Sequence, residues 1–169
     1  MRLYQGRITT IAVDIVKTLT SAGDIETDAP REVQADVESV LTAYLDAERR
    51  IIEETKDVLS ARGLSQRDFG RIKKIVAEKV GIPSGNEIID YLLDQIVAML
   101  MYSHNVEEVY VEDVELRRKM APILKREMAV DEQLERETRA RLGHVQEGTR
   151  TWEVEYQRVL GDIRRRKGL

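Results

Sequence analysis

The first half of the chain carries apolar residues at helical spacing, and this pattern predicts three consecutive helices. A stripe within residues 7–21 predicts the first helix, and Gly23 is expected to end it, because glycine adopts a left-handed conformation at little cost. A short extended piece follows at residues 24–27. The stripe consists of Ile8, Ile11, Ala12, Ile15, Val16 and Leu19.

A long second helix is expected to begin after Asp28, which can cap it, with Pro30 in its first turn. Its inward positions alternate in spacings of four and three, which is typical of a helix that packs along a neighbour. These seam positions are Val37, Leu41, Tyr44, Glu48, Ile51, Thr55 and Val58. Gly63 is expected to end the helix and Ser65 to cap the third one. The third helix is expected to face inward through Phe69, Ile72, Val76 and Val80.

The second half of the chain repeats this plan. Residues 37–81 align with residues 120–164 at a constant offset of 83, and the first helix matches residues 88–101 at an offset of 81. The second helix of this half is predicted to run without a break from Asp113 through Arg141. An internal repeat is a strong indicator of architecture. We therefore predict a mainly all-α protein built from two tandem three-helix units, residues 1–82 and 83–169.

Neither unit is expected to be stable by itself. A chain of about 80 residues buries only about 60–65% of its unfolded surface on folding. Packing the two units together through the widest apolar stripe, residues 88–101, would complete a shared core. We expect a single pseudo-symmetric helical bundle. The extended pieces of the two units are the natural strands of a short two-stranded ribbon, either paired with each other or apart.

Composition narrows the class of protein. Charged residues make up 34% of the chain and aromatic residues 5%, with three prolines, which suits a mainly helical protein. The net charge is −4, and neither half is strongly basic. The absence of cysteine excludes disulfides, thiol nucleophiles and thiolate metal sites. The most apolar segment, residues 88–102, is shorter than the ~20 residues that span a bilayer. With no signal peptide recognised, a cytoplasmic protein without a membrane helix is expected.

Two carboxylates at matching seam positions are the first candidate site. Glu48 and Asp131 occupy corresponding places in the long helices. If they approach each other, they either share a proton or bind a cation. Alternatively, both are exposed, or each pairs with an arginine such as Arg67 or Arg150. A buried carboxylate here would fix helix register at a cost in stability.

No pattern in the sequence indicates catalysis or a bound cofactor. The histidines, His104 and His144, fall in different predicted loops, and the Glu-x-x-His pairs of di-metal bundles do not occur. The sequence has neither a glycine-rich phosphate loop nor a nucleophile elbow. We therefore expect no catalytic residues, no metal, no cofactor and no enzymatic activity.

Basic clusters suggest a second kind of site. The third helix carries one cluster and the end of the chain another, and such cations could contact nucleic-acid phosphates. Stacking on bases also requires exposed aromatic residues, and Phe69, Trp152 and Tyr156 are expected in the core. The alternative is a solvated face with interleaved acids such as Glu78 and Asp162. The clustered residues are Arg71, Lys73, Lys74, Arg164, Arg165, Arg166 and Lys167.

Several motifs resemble the bacterial family known as domain of unknown function 507. They include Arg7-Ile8 at the head of an apolar helix, Gly23-Asp24-Ile25-Glu26 after it, and the acidic-apolar pairs Glu48/Ile51 and Asp131/Leu134. The nearest match is the segment at residues 147–156, Glu-Gly-Thr-Arg-Thr-Trp-Glu-Val-Glu-Tyr, followed by a basic tail. The resemblance extends over nearly the whole chain. It implies a helical fold and a bacterial origin, and it supplies no functional residues.

Taken together, these patterns favour a non-catalytic helical scaffold or adaptor that binds a protein partner or itself. Self-association as a homodimer would use exposed apolar groups, for which Tyr4, Tyr102, Val109 and Tyr110 are the expected candidates. The alternative is an RNA- or DNA-associated protein that uses the basic helix faces and the basic C-terminal tail.

Overall fold

The computed structural model describes residues 2–146 and 149–169, with the side chains of residues 130–132 outside that description. The first unit contains α1 (Ile8–Ser21), β1 (Ile25–Glu26), α2 (Pro30–Arg62) and α3 (Phe69–Lys79). The second contains α4 (Glu87–Tyr102), β2 (Glu108–Val109), α5 (Asp113–Met128), α6 (Val130–Arg141) and α7 (Arg150–Lys167). The mainly all-α class predicted from the sequence is confirmed.

A central core forms where the two units pack reciprocally. Within each unit the first helix packs on the second, as α1 on α2 and α4 on α5. Across the units the first helix of one packs on the second helix of the other, as α1 on α5 and α4 on α2. Each apolar stripe is therefore covered from both units. Fully buried members of this core include Ile11, Ile15, Leu41, Leu92, Ile96, Leu116 and Leu124.

Each unit also extends a helical hairpin away from this core. In the first unit, the C-terminal part of α2 packs on α3 around a separate cluster that includes Ile51, Leu59 and Ile72. In the second unit, α6 packs on α7 around Leu134, Leu142 and Val159. The hairpins place α3 and α7 outside the central core, where their outer faces meet solvent.

The extended pieces pair with each other as an antiparallel ribbon. Ile25 lies opposite Val109 and Glu26 opposite Glu108. The main chain continues the pairing at both ends, since Tyr110 N donates to Asp24 O at 2.8 Å and Glu107 N to Glu26 O at 2.9 Å. Of the two arrangements that the sequence left open, pairing is therefore confirmed. The ribbon adds a further link between the units.

The second long helix is not continuous, contrary to the sequence expectation. It divides at Ala129 into α5 and α6. Arg2 N donates to Met128 O at 3.3 Å, so the N-terminal segment crosses the helix at this point and occupies a carbonyl that a continuing helix would use. Such a contact between distant parts of the chain leaves no trace in local periodicity.

Two smaller expectations are also corrected. The residue before α2 is Ala29 rather than Asp28, and its N–H is bound by the Thr27 hydroxyl at 3.0 Å. Val80 lies at the end of α3 and is 53% exposed rather than inward-facing, because the chain turns away at Gly81. Gly23 and Gly63 have positive φ at the predicted helix ends. Division of the chain at residue 82 remains a prediction.

Candidate binding groove between α2, α3 and α4

A cavity of about 300 Å³ lies where the first hairpin meets the central core. It opens between α2, α3 and the N-terminal end of α4, and we call it the Tyr44 groove. Its walls combine apolar groups with three charged side chains. The lining residues are Tyr44, Glu48, Ile51, Gly70, Lys73, Lys74, Ala77, Ile82, Pro83, Ser84, Gly85 and Ile88.

Tyr44 forms the inner wall of this groove. It is 5% exposed, and its ring lies 6.2 Å from that of Tyr91 between centroids. Burial, with smaller effects from Glu48 and Tyr91, raises the pKa of the Tyr44 phenol far above its usual value. The phenol therefore stays neutral. A second cavity, of about 390 Å³, lies on the other side of Tyr44, against Ala43 and Gln95.

The charged lining residues form only weak ion pairs. Lys73 Nζ lies 3.7 Å from Glu48 Oε1. Lys74 Nζ lies 3.9 Å from Glu78 Oε1, with both side chains about two-thirds exposed, so water screens this pair strongly. Glu48 is thus half-buried. It pairs with Lys73 rather than with an arginine such as Arg67, which the sequence had offered as one alternative. The side chain of Asp131 lies outside the described residues, so an approach of the two carboxylates stays a prediction.

The corresponding place in the second unit is occupied by the chain itself. The offset of 81 that relates α1 to α4 pairs Tyr4 with Gly85. Tyr4 is 7% exposed and belongs to the apolar cluster of the second hairpin, with Leu134 and Ile163. The expectation that Tyr4 is exposed is therefore wrong, because the hairpin folds over it. Tyr102 and Tyr110 are exposed at 84% and 62%, and Val109 is half-buried.

A close backbone approach holds the N-terminal segment against the second hairpin. A Cβ atom placed on Gly6 would lie only 1.7 Å from the carbonyl oxygen of Gly168, so no larger residue fits without displacement. The guanidinium carbons of Arg2 and Arg164 lie 5.4 and 5.7 Å from the centre of the Tyr4 ring. Cation–π attraction thus adds to the apolar packing of Tyr4.

A network of charged side chains links α1 and α5 at the other junction between the units. The Glu127 side chain, 6% exposed, accepts from Arg7 Nε at 2.8 Å and from Arg126 Nε at 2.9 Å. Arg126 also donates to Asp14 at 2.7 Å. Burial would raise the pKa of the Glu127 carboxyl, but the hydrogen bonds from Arg126 and Arg7 outweigh it and hold this pKa below its usual value. Glu127 is therefore ionised and paired.

The basic clusters are interleaved with acidic partners. On α3, Arg71 Nη2 lies 3.1 Å from Asp68 Oδ1. On α7, Arg165 pairs with Asp162, and Lys167 Nζ lies 2.6 Å from Glu137 Oε1 on α6. Arg164 faces the Tyr4 ring, and Arg166 is exposed. These pairings favour the solvated-face reading of the clusters without testing nucleic-acid binding.

The described part of the chain carries neither a metal-binding cluster nor a membrane-spanning helix. There, no group of three or more histidine, aspartate or glutamate side chains is placed to hold a metal ion. His104 and His144 lie in different turns, both exposed. Within the same residues, no helix combines the length and hydropathy that a bilayer crossing needs.

The groove brings together three residues that the sequence singled out, Glu48, Lys73 and Lys74. The local sequence indicated Tyr44 only as a seam position and gave no functional signal at Gly85. The signal was present in the repeat, because its alignment sets Tyr44 opposite Glu127 and Gly85 opposite Tyr4. Tyr44 and Glu127 differ in chemistry at equivalent places on a helix, and Gly85, at φ 68°, differs from the extended Tyr4 in backbone as well as in side chain.

The fold and the groove define a class of protein: a duplicated helical bundle with a solvent-accessible cavity between α2, α3 and α4. The chain belongs to the family described as a protein of unknown function (DUF507), whose model matches residues 1–169, the whole chain. The resemblance found in the sequence is thereby confirmed. No curated protein matches the chain.

Proposed function

We propose that this protein is a non-catalytic helical scaffold or adaptor, and that it binds a protein partner through the Tyr44 groove. One observation carries the proposal. The groove remains open at a position where the second unit buries a residue of the chain itself, Tyr4. A duplicated fold that fills a site internally in one unit and leaves it open in the other has a ready place for an external segment.

The chemistry of the groove supports binding rather than catalysis. Its inner wall is a neutral, buried phenol, and its charged groups are already paired with each other or exposed to water. A catalytic group would need a reactive protonation state or a positioned partner. An apolar wall with polar groups at the rim is typical of the sites that bind other molecules. We place this proposed function in the cytoplasm, and a chain without cysteine is compatible with that reducing compartment.

Affinity capture from native cytoplasm, with and without nuclease, tests the proposed function. We expect a protein that is retained after nuclease treatment and in high salt. A preparation that retains only nucleic acid, released in high salt, would instead support the RNA- or DNA-associated alternative. Light scattering of the purified protein separates self-association from partner binding, because a homodimer would have twice the 19.4 kDa mass of the chain.

A further inference from the structure

The geometry points to the occupant of the Tyr44 groove: an aromatic side chain on an extended, acidic segment of a partner protein. This inference rests on the proposed function and specifies its ligand. The partner residue would lie in the first unit as Tyr4 lies in the second. Three independent features support it: the equivalence of the two sites, the size of the cavity and the charge at its rim.

The walls of the two sites correspond position by position. Ile51 and Ala77 line the groove, and the offset of 83 relates them to Leu134 and Leu160, which pack in the cluster that holds Tyr4. The first unit thus presents apolar groups at the same two positions, with Ala77 smaller than Leu160. Gly85 supplies no side chain where the second unit has Tyr4. These smaller residues leave a space that an aromatic side chain would fill.

The size and the backbone geometry agree with a single side chain on an extended strand of peptide. At about 300 Å³, the cavity is at the lower end of the range for binding pockets. Tyr4 itself has φ −111° and ψ 139°, so the segment that carries it is extended as it enters the second hairpin. We expect the partner segment to be extended too, but to approach from the open side of the groove, because the main chain of Gly85, at φ 68°, occupies the place of the Tyr4 main chain.

Charge at the rim indicates an acidic neighbour for the aromatic residue. Lys73 and Lys74 stand where the second unit has Tyr156 and Gln157, so the first unit has gained two cations at the mouth of the site. Glu48 neutralises the charge of Lys73. The charge of Lys74 is balanced only weakly, because its pair with Glu78 is long and exposed to water. A carboxylate next to the aromatic residue would complete this pattern.

Short peptides titrated into the full-length, ¹⁵N-labelled protein test the inference. The probe is acetyl-Asp-Tyr-amide, and the comparison probes are acetyl-Lys-Tyr-amide and acetyl-Asp-Leu-amide. We expect saturable amide shifts at Gly70, Ala77 and Gly85 with millimolar affinity for the first peptide, as befits so small a ligand. The lysine and leucine peptides should each bind about five-fold more weakly. The lysine peptide loses one exposed ion pair, and the leucine peptide loses part of one aromatic contact.

Two glycine variants provide a matched test of the site. A Cβ on Gly70 would meet open space, so Gly70→Leu should fold while its side chain occludes the groove. Gly161, on α7, also has open space around it, and Gly161→Leu is the control. Gly70→Leu should abolish the shifts and Gly161→Leu should leave them. Lys74→Glu, which changes only an exposed residue, should reverse the preference between the aspartate and lysine peptides.

Several results would overturn the inference. They are equal binding of the three peptides, shifts that map elsewhere, and shifts that persist in Gly70→Leu. If free 4-hydroxyphenylacetate bound far more tightly than the aspartate peptide, the groove would be a small-molecule site instead. The proposed function fails separately, if no protein is retained after nuclease treatment and in high salt. A partner that is captured equally by the wild type and by Gly70→Leu would leave the scaffold in place and remove only the groove as its binding site.

Discussion

The two junctions between the units have the same helix geometry and opposite chemistry. Between α1 and α5, the buried carboxylate of Glu127 is held by two arginines. Between α2 and α4, the position equivalent to Glu127 is Tyr44, and that of Arg126 is Ala43. The first junction, which we call the closed one, is therefore linked by a charged network, with a smaller cavity of about 230 Å³ beside Arg7 and Lys167. The second is packed by aromatic rings and has a cavity on each side of Tyr44.

This difference shows how a duplicated fold can divide its tasks. The junction between α1 and α5 binds the N-terminal segment and links both units through ions that are already paired. The junction between α2 and α4 has lost two large side chains, the counterparts of Tyr4 and Arg126, and both losses leave space beside Tyr44. Under the proposed function, the first junction contributes stability and the second contributes recognition.

The largest expected effect comes from removing the charge at the closed junction. Glu127→Gln removes the buried anion that accepts hydrogen bonds from Arg7 and Arg126, so Arg126 keeps only Asp14. At about 1.5 kcal/mol for each of the two charged hydrogen bonds, the loss is about 3 kcal/mol of the free energy of unfolding. Urea unfolding followed by circular dichroism at neutral pH measures the change. Tyr44→Phe removes one polar atom at the equivalent position and should cost less than about 1 kcal/mol.

A double variant sharpens this prediction. Arg7→Ile with Glu127→Tyr gives the closed junction the side chains of the open one, Ile88 and Tyr44. Since well-packed apolar residues often replace a buried pair without loss, the double variant should be more stable than Glu127→Gln. A double variant as unstable as the single one, or a negligible effect of Glu127→Gln, would contradict the importance of the network.

The next effect concerns the close approach of the two chain ends. In Gly6→Ala, the new methyl group collides with the Gly168 carbonyl, and such overpacking costs about 2 kcal/mol. Gly70→Ala is the control in the other unit, where the methyl group meets open space, and there the better helix propensity of alanine should add about 0.5–1 kcal/mol. The two midpoints of urea unfolding should shift in opposite directions. Equal midpoints would show that the chain end is not held against Gly6.

A smaller contrast concerns the polar links beside the ribbon. Lys119 Nζ donates to both carboxylate oxygens of the buried Asp24, at 2.7 and 2.6 Å. At the equivalent place on the other side, Asn105 Nδ2 donates to Asp36 at 3.0 Å. Hydrogen bonds to charged groups contribute about 1.5–3 kcal/mol, so Asp24→Asn should cost about 1.5 kcal/mol and Asp36→Asn less. A larger loss of unfolding free energy in Asp36→Asn than in Asp24→Asn would contradict the view that the link between Lys119 and Asp24 is the more stabilising one.

The smallest expected effect is the pH dependence of stability, and its direction follows from the direction of the Glu127 pKa shift. The pKa of Glu127 in the folded state lies below its usual value of 4.5. The ionised Glu127 therefore stabilises the folded state fully above pH 4.5, and this stabilisation is lost as the pH falls through the pKa of the folded state. The stability difference between the wild type and Glu127→Gln should shrink on acidification below pH 4.5. An unchanged difference, followed by urea unfolding at each pH, would show that the arginines do not stabilise the anion.

Local features of the fold were predictable from the sequence because they depend on neighbouring residues. The apolar stripes located the helices, and Gly23 and Gly63 marked two helix ends. The repeat placed one extended piece in each unit, although the sequence could not choose between paired and separate strands. These features require only the spacing of side chains and the conformations that glycine permits.

The candidate site was less predictable because long-range contacts create it. Tyr4 is buried only because α7 ends against Gly6, and the break at Ala129 follows from the bond between Arg2 and Met128. Glu48 is paired with Lys73 because α3 folds back on α2 at that point. None of these contacts has a periodic signature. Comparing the two units residue by residue would have revealed the asymmetry, although not the cavity that results from it.

The central claim is that each unit completes the hydrophobic core of the other, and thermal unfolding of the separate units tests it most directly. Residues 1–82 and 83–169 should each lack a cooperative transition near that of the intact chain, because each leaves uncovered the apolar stripe that packs across the units. An equimolar mixture should recover helical structure and cooperative melting. If either unit alone melted cooperatively and at the same temperature as the intact protein, reciprocal packing would not be the basis of its stability.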